Sequence, residues 1–453
     1  MTLNEYFSSL KNKRLAVIGL GVSNLPLVEL LCDSGCDVTV CDKRSAEQLG
    51  ELLPRFQAKG VKFCLGERYL DTLDFDVIFR TPGLHPRFLV AAEANGAVIT
   101  SEMELFFRFC PCRIVAVSGS DGKTTTTTLI AEILKAAGYR VHLGGNIGQP
   151  LLAEISGMRP DDMVVLELSS FQLHSMNCCP DVAVVTNVSP NHLDVHPDYN
   201  DYICAKKNIF RKQLSSHRLV LNADNGITAD FAAEANAQIR FFSRQRMIGN
   251  GYSCLDGVIY RNGEAYMQAE EILLPGTHNI ENMMAAFAAT DDLADPEAQW
   301  QVARSFTGVE HRIEPVRKLR GVTYYNDSIA SSPSRTIAGL HSFQQKVILI
   351  AGGRDKHVPF DGLAQEIQCH VKKLFLTGEA ADQIYQAVEK AAPAQGGVPV
   401  CRIDDFRQAV LAASRAAEEG DIVILSPACT SFDRFKNFAE RGNVFKEIVM
   451  SLE

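Results

Sequence analysis

Between Arg113 and Gly138 a strand, a glycine-rich turn and a helix follow one another, and few folds accommodate that order. Arg113-Ile-Val-Ala-Val117 is a short β-branched run that reads as a buried strand. From Thr125 to Gly138, Leu129, Ile130, Ile133 and Leu134 recur at helical spacing. A glycine turn before a helix start aims several backbone N–H groups at one point, and the helix dipole adds positive potential there. Gly119, Ser120, Asp121, Gly122, Lys123, Thr124 and Thr125 are therefore the candidate nucleotide-phosphate loop. Lys123 can reach the outer phosphates and the Thr124 hydroxyl can ligate Mg²⁺. The general Walker A pattern has a glycine where Val117 stands, so the competing interpretation is a plain structural turn.

At 453 residues the chain has room for about three domains. Its 46% hydrophobic and 22% charged residues are those of a globular protein. A net charge of −9 argues against a nucleic-acid binder but leaves room for a local basic pocket. The 13 cysteines form no pair of C-x-x-C motifs, so they read as reduced, small hydrophobes suited to the cytoplasm. The start of the chain is polar, and no apolar run approaches the roughly 20 residues of a span, so membrane insertion is not expected.

Ahead of the loop, Arg14–Ile18, a helix to about Ser34 and Asp37–Asp42 make a βαβ unit with Gly19-Leu-Gly21 at its turn. Asp42 is placed like an acid that grips a ribose. The ligand is either a dinucleotide such as NAD or another diphosphate such as a UDP-sugar. Asn24 replaces the third glycine of the dinucleotide fingerprint, which weakens the first option. Asp76–Phe79 and Arg80-Thr81-Pro82-Gly83 read as a later strand and turn of the same domain, which should end near Phe109.

After the loop, Gly144–Gly148 follows a short strand and Met163–Gln172 reads as an apolar strand with a polar end. Glu167 there is either a Mg²⁺ ligand beside Thr124 or a capping or paired carboxylate. His192, in Asn187-Val-Ser-Pro-Asn-His-Leu-Asp194, is either a metal ligand at the same sheet edge or a solvated loop residue. Tyr202–Gln213 reads as a helix carrying Lys206 and Lys207. Residues 239–275 read as short strands with turns at Asp256-Gly257 and Asn262-Gly263. Asn279 and Asn282 share one face at a helix start, for a purine edge or for capping. From Val322 a third α/β run begins.

The motifs SGSDGKTTT (118–126), GGNIG (144–148), ELSSFQL (167–173), NVSPNHLD (187–194), GTHNIEN (276–282), FTGVEHR (306–312), YNDS (325–328), GGRDK (352–356) and SPACTSFDRFKNFAERG (426–442) resemble the Mur ligase superfamily along the whole chain. The last motif resembles its D-glutamate-adding branch. The resemblance implies an α/β protein of three domains. They are an N-terminal Rossmann-like UDP-sugar domain (1–109), a central P-loop ATPase-like domain with a parallel sheet (110–312) and a C-terminal Rossmann-like amino-acid domain (313–453). It implies ATP-dependent addition of D-glutamate to UDP-N-acetylmuramoyl-L-alanine in cytoplasmic peptidoglycan synthesis by a monomer.

By the same resemblance, the phosphate loop with Asn279, Asn282, Arg312 and Asp327 would hold ATP. Thr124, Glu167, His192 and Lys206 would serve two Mg²⁺ positions, Lys206 as a carbamate with Lys207 as the fallback. Lys123, Glu167, His192 and Lys206 would be the catalytic set. Ser23, Asn24, Asp42, Arg44, Thr81, Pro82, Gly83, Asn146 and Gln172 would bind the UDP-sugar, and Lys356, Ser431 and Phe438 the amino acid. Two positions depart from the pattern: Ile329 stands where relatives carry a lysine, and Asn191 where they carry an aspartate.

Overall fold

The structure is a computed structural model that describes residues 1–147, 150–191, 195–354, 359–393 and 396–453. Its described residues build three β-sheets flanked by helices. The first has five parallel strands in the order Lys62–Leu65, Val38–Asp42, Leu15–Ile18, Val77–Phe79 and Val98–Thr100. The second has nine, with Arg113–Ser118 flanked by Met163–Glu167 and Val182–Val185. The third has six, of which only Glu314–Leu319 runs antiparallel to its neighbour.

The second sheet ends in two hairpins whose turns follow from the sequence. Asp256, Gly257, Asn262 and Gly263 all take positive φ, the backbone that two-residue hairpin loops require. Several helices begin where a polar side chain caps them. Asp198 accepts from the Asp201 amide and starts the helix Tyr199–Lys207, three residues earlier than apolar spacing suggests. The strand expected to run to Gln172 stops at Glu167, because Ser169 and Gln172 form a capping box for the short helix Ser170–Leu173.

Residues Met1–Phe306 form one compact unit and Thr307–Glu453 another. Within the first unit one apolar core runs from the first sheet to one face of the second, through Leu15, Phe79, Phe106, Leu152, Leu166 and Tyr202. Register places the functional edge of the second sheet. Val117 pairs with Glu167 and Ser118 with Val185, so the loops after these three parallel strands emerge together. Among the described residues no helix is long and apolar enough to cross a membrane.

Candidate active site

The phosphate loop is held open by two close backbone approaches. Gly119 has φ 148°, and a Cβ there would lie 1.9 Å from the Thr186 hydroxyl oxygen. Gly122 has φ 76°, and its Cβ would lie 2.3 Å from Oδ1 of Asn282. Any side chain at either site is therefore strained. Helix Lys123–Ala136 follows at once. Lys123 Nζ donates to the carbonyls of Gly119 (3.0 Å) and Ser120 (2.9 Å), folding its charge over the loop. The Asp121 amide donates to Asn187 Oδ1 at 2.9 Å, and Ser120 Oγ lies 2.9 Å from the Tyr202 hydroxyl. Thr125 sits on the first helical turn.

Glu167 ends its strand almost fully buried. Its Oε2 accepts from Thr124 Oγ1 and its Oε1 from Asn146 Nδ2, both at 2.7 Å. A buried carboxylate beside a hydroxyl at a phosphate loop is a hard-oxygen donor set, which fits Mg²⁺. Lys206 is 1% exposed, donates to the Gly119 carbonyl at 2.7 Å and lies over the Tyr202 ring. Burial, reinforced by the Lys123 charge, holds its amine well below the usual lysine value. Lys207 points elsewhere and pairs with Glu234 at 2.5 Å. Asn282 accepts from Thr126 Oγ1 and donates to Asn279 Oδ1 (3.1 Å), while Asn279 donates to the Pro275 carbonyl. Both amides are thus fixed beside the loop, and neither caps the helix Thr277–Thr290.

Ser23, Asn24, Pro82 and Gln172 line one cleft between the first and second sheets. Asn24 donates to the carbonyls of Ile18 and Gly19, both at 3.0 Å, and leaves its Oδ1 buried without a partner. Arg80 and Glu102 complete this wall, and neither was singled out from sequence. Arg80 is almost fully buried; it donates to the carbonyls of Thr81, Pro82, Leu84 and Phe171 and to Ser175 Oγ. It thereby ties the turn containing Thr81, Pro82 and Gly83 to the second sheet. Its position next to a strand end was the available signal. Asp42 stands apart with Arg44: their side chains meet at 2.7 Å, and the Leu20 amide donates to the same carboxylate. Burial opposes ionisation of Asp42, but these hydrogen bonds outweigh it and hold the acid below its usual value.

In the second unit, Asp327 is buried at the end of the strand Val322–Asn326. It accepts from Ser426 Oγ at 2.7 Å and from the Ile313 amide at 3.3 Å, and burial pushes its carboxyl up to about 7. Arg312 sits between His311 and Ile313, both of positive φ. Phe438 is partly exposed and its carbonyl accepts from Ser328 Oγ, while Ser431 is buried. Arg441, not singled out from sequence, is buried here with its Nη1 unpartnered. His192 and Lys356 lie outside the described residues.

Residues 117–290 match the profile of the Mur ligase middle domain, and residues 311–429 that of the Mur ligase, glutamate ligase domain. The UDP-N-acetylmuramoylalanine–D-glutamate ligase of Acetivibrio thermocellus is 52% identical over 100% of this chain and 99% of its own. The enzyme of that name from Clostridium novyi is 50% identical over the same shares. The chain belongs to the Mur ligase family. The fold of this Mur ligase is also that of the UDP-N-acetylmuramate–alanine ligase of Thermotoga maritima, with a TM-score of 0.54 at 17% identity over 97% of this chain and 100% of that one. A pseudomurein peptide ligase type C of Methanothermus fervidus gives 0.51 at 19% identity, over 98% and 100%.

Proposed function

We propose that this Mur ligase joins D-glutamate to UDP-N-acetylmuramoyl-L-alanine at the expense of ATP, releasing ADP and phosphate in peptidoglycan precursor synthesis. The observation that carries the reading is the convergence of Lys123, Thr124, Glu167 and Lys206 on one phosphate loop, in a chain half identical to D-glutamate ligases along its length.

The alanine carboxylate of the acceptor attacks the γ-phosphorus of ATP, and the bond to ADP breaks. The amine of D-glutamate attacks the resulting acyl phosphate, the tetrahedral adduct expels phosphate, and the nitrogen loses its proton. A free carboxylate is a poor electrophile, so the phosphoryl group supplies the leaving group. Lys123 and the loop amides stabilise the charge that builds on the transferred group. Glu167 and Thr124 hold Mg²⁺, which when bound neutralises phosphate charge. Asn279 and Asn282 lie beside the loop for the adenine. The cleft of Ser23, Asn24, Pro82 and Gln172 takes the UDP-sugar, with Asp42, Arg44, Thr81, Gly83 and Asn146 along its length. Arg312 and Asp327 contribute to the nucleotide, while Lys356, Ser431 and Phe438 hold D-glutamate. In this reading the chain has three domains, 1–109, 110–312 and 313–453, and the enzyme works in the cytoplasm.

Lys206 would become a carbamate in this reading. Its lowered pKa favours the neutral amine. That amine would add to CO₂ and lose a proton, which would turn a buried amine into an anionic oxygen donor for a second Mg²⁺.

The test is phosphate release from ATP with UDP-N-acetylmuramoyl-L-alanine, Mg²⁺ and, in parallel, D-glutamate, L-glutamate, L-lysine or diaminopimelate. Release with D-glutamate alone, with a matching UDP-dipeptide, is the expected result. Release with another amino acid instead would overturn the reading and point to Ile329, which departs from the pattern that the family resemblance implies.

A further inference from the structure

Away from the phosphate loop, three segments of the first unit bring imidazoles to one carboxylate. His85 follows the turn that Arg80 clamps, His174 ends the short helix Ser170–Leu173, and Asp201 lies in the first turn of helix Tyr199–Lys207. Nε2 of His174 lies 2.9 Å from Oδ2 and 3.1 Å from Oδ1 of Asp201, and Nε2 of His85 lies 3.5 Å from Oδ2. The three ligand atoms all fall within 4.8 Å of one another.

We propose that His85, His174 and Asp201 bind a divalent transition-metal ion of the zinc class, at a site separate from the magnesium position at Thr124 and Glu167. Zinc bonds to histidine nitrogen and carboxylate oxygen are about 2.0–2.2 Å long, which sets neighbouring ligand atoms roughly 3–3.5 Å apart. The nitrogen–oxygen separations of 2.9 Å and 3.5 Å to Asp201 Oδ2 match edges of such a polyhedron. Two nitrogens and one carboxylate suit zinc or another late first-row ion better than magnesium, which demands oxygen.

The surroundings support the carboxylate. His196 is buried, and its Nδ1 lies 2.6 Å from Asp201 Oδ2 while its Nε2 lies 3.0 Å from Ser170 Oγ. Its ring is stacked on Phe171 at 5.4 Å and meets Tyr202 edge-on. A ligating carboxylate oriented by an outer imidazole is a recurrent support for metal sites. A cleft lined by His85, His174, Phe171 and Val195 opens beside the set and leaves room for a water as a further ligand.

Two contacts change on loading, and the first is the hydrogen bond from His174 Nε2 to Asp201, which gives way to the metal bond. The Arg87 amide donates to Nδ1 of His85 at 3.1 Å, which places the proton of neutral His85 on Nε2. Metal bonding at Nε2 shifts that proton to Nδ1 and turns the Arg87 amide away. The ion then links the turn after Val77–Phe79 to the helix that carries Lys206.

The full chain, stripped with chelator and kept in excess Mg²⁺, is titrated with Co²⁺ and then Zn²⁺. We expect one tight equivalent of Co²⁺, with visible bands of a nitrogen–oxygen site, displaced by Zn²⁺. His85→Gln, His174→Gln and Asp201→Asn each lose that equivalent while keeping the metal-free melting curve of the native chain. Glu167→Gln and His370→Ala keep it, the latter removing a residue of the surface cluster His341, Glu366 and His370. Absence of a tight equivalent in the native chain would overturn the proposal. So would its retention in any of the first three variants, or its loss in Glu167→Gln. None of these readouts depends on ligase activity.

Discussion

Thr124 and Glu167, 43 positions apart, meet through a 2.7 Å hydrogen bond in which the hydroxyl donates to the carboxylate. The bond closes the angle between the phosphate loop and the neighbouring strand, and it defines where a hard cation fits. Glu167→Gln keeps the shape and removes the charge. Turnover with ATP and Mg²⁺ should fall by at least about 10²-fold, since a metal ion supplies several kcal/mol of transition-state stabilisation. Raising Mg²⁺ should recover part of the loss. Steady-state phosphate release across a Mg²⁺ series checks this, and undiminished turnover at low Mg²⁺ would exclude Glu167 as a ligand.

Gly122 gives a prediction about nucleotide affinity. A methyl group at its φ of 76° meets Asn282 Oδ1 at 2.3 Å, so Gly122→Ala strains the backbone and displaces the amide at once. ADP binding measured by calorimetry should weaken by roughly 5- to 150-fold, for a strain of about 1–3 kcal/mol. An unchanged affinity in Gly122→Ala would show that the loop does not hold the nucleotide.

Glu102 is buried in the cleft with one oxygen unpartnered, and burial pushes its carboxyl up to about 7 against a single opposing amide, that of Leu152. Between the ordinary value of 4.5 and about 7 the folded chain binds the extra proton. Stability is therefore lost as pH rises through that window. The full effect is at most about 3 kcal/mol, from the size of the shift. Glu102→Gln should raise the melting temperature at pH above about 7 and leave it unchanged near pH 4, below both values. Melting curves over that range test it, and a difference independent of pH would contradict the assignment.

Much of the candidate site was legible because its chemistry lies at strand ends. Glu167 was found as a carboxylate closing an apolar run, and Asn279 and Asn282 by their helical spacing. Arg80 and Glu102 were not found, because burial comes from packing between two sheets that the sequence does not pair. The imidazole cluster was invisible for the same reason: Arg80 brings His85 to His174 through the carbonyls of Leu84 and Phe171. The choice between Lys206 and Lys207 is equally tertiary. Adjacent positions on a helix face different ways, and only one is buried under the Gly119 carbonyl.

Lys206 yields the last prediction. Burial first, and the Lys123 charge next, hold its amine well below the ordinary 10.5. At every pH between the folded value and 10.5 the unfolded chain binds the extra proton, so stability rises with pH across that window. In buffer freed of CO₂, Lys206→Met should therefore be more resistant to denaturant than the native chain at neutral pH. The advantage should shrink as pH approaches about 10.5. Added bicarbonate should stabilise the native chain and raise its turnover while leaving Lys206→Met unaffected, because only the native amine can form the carbamate. Denaturant titrations with and without bicarbonate separate the two effects. If bicarbonate moves both proteins equally, Lys206 is not carbamylated. If the advantage of methionine does not vary with pH, its amine is not the buried group that titrates.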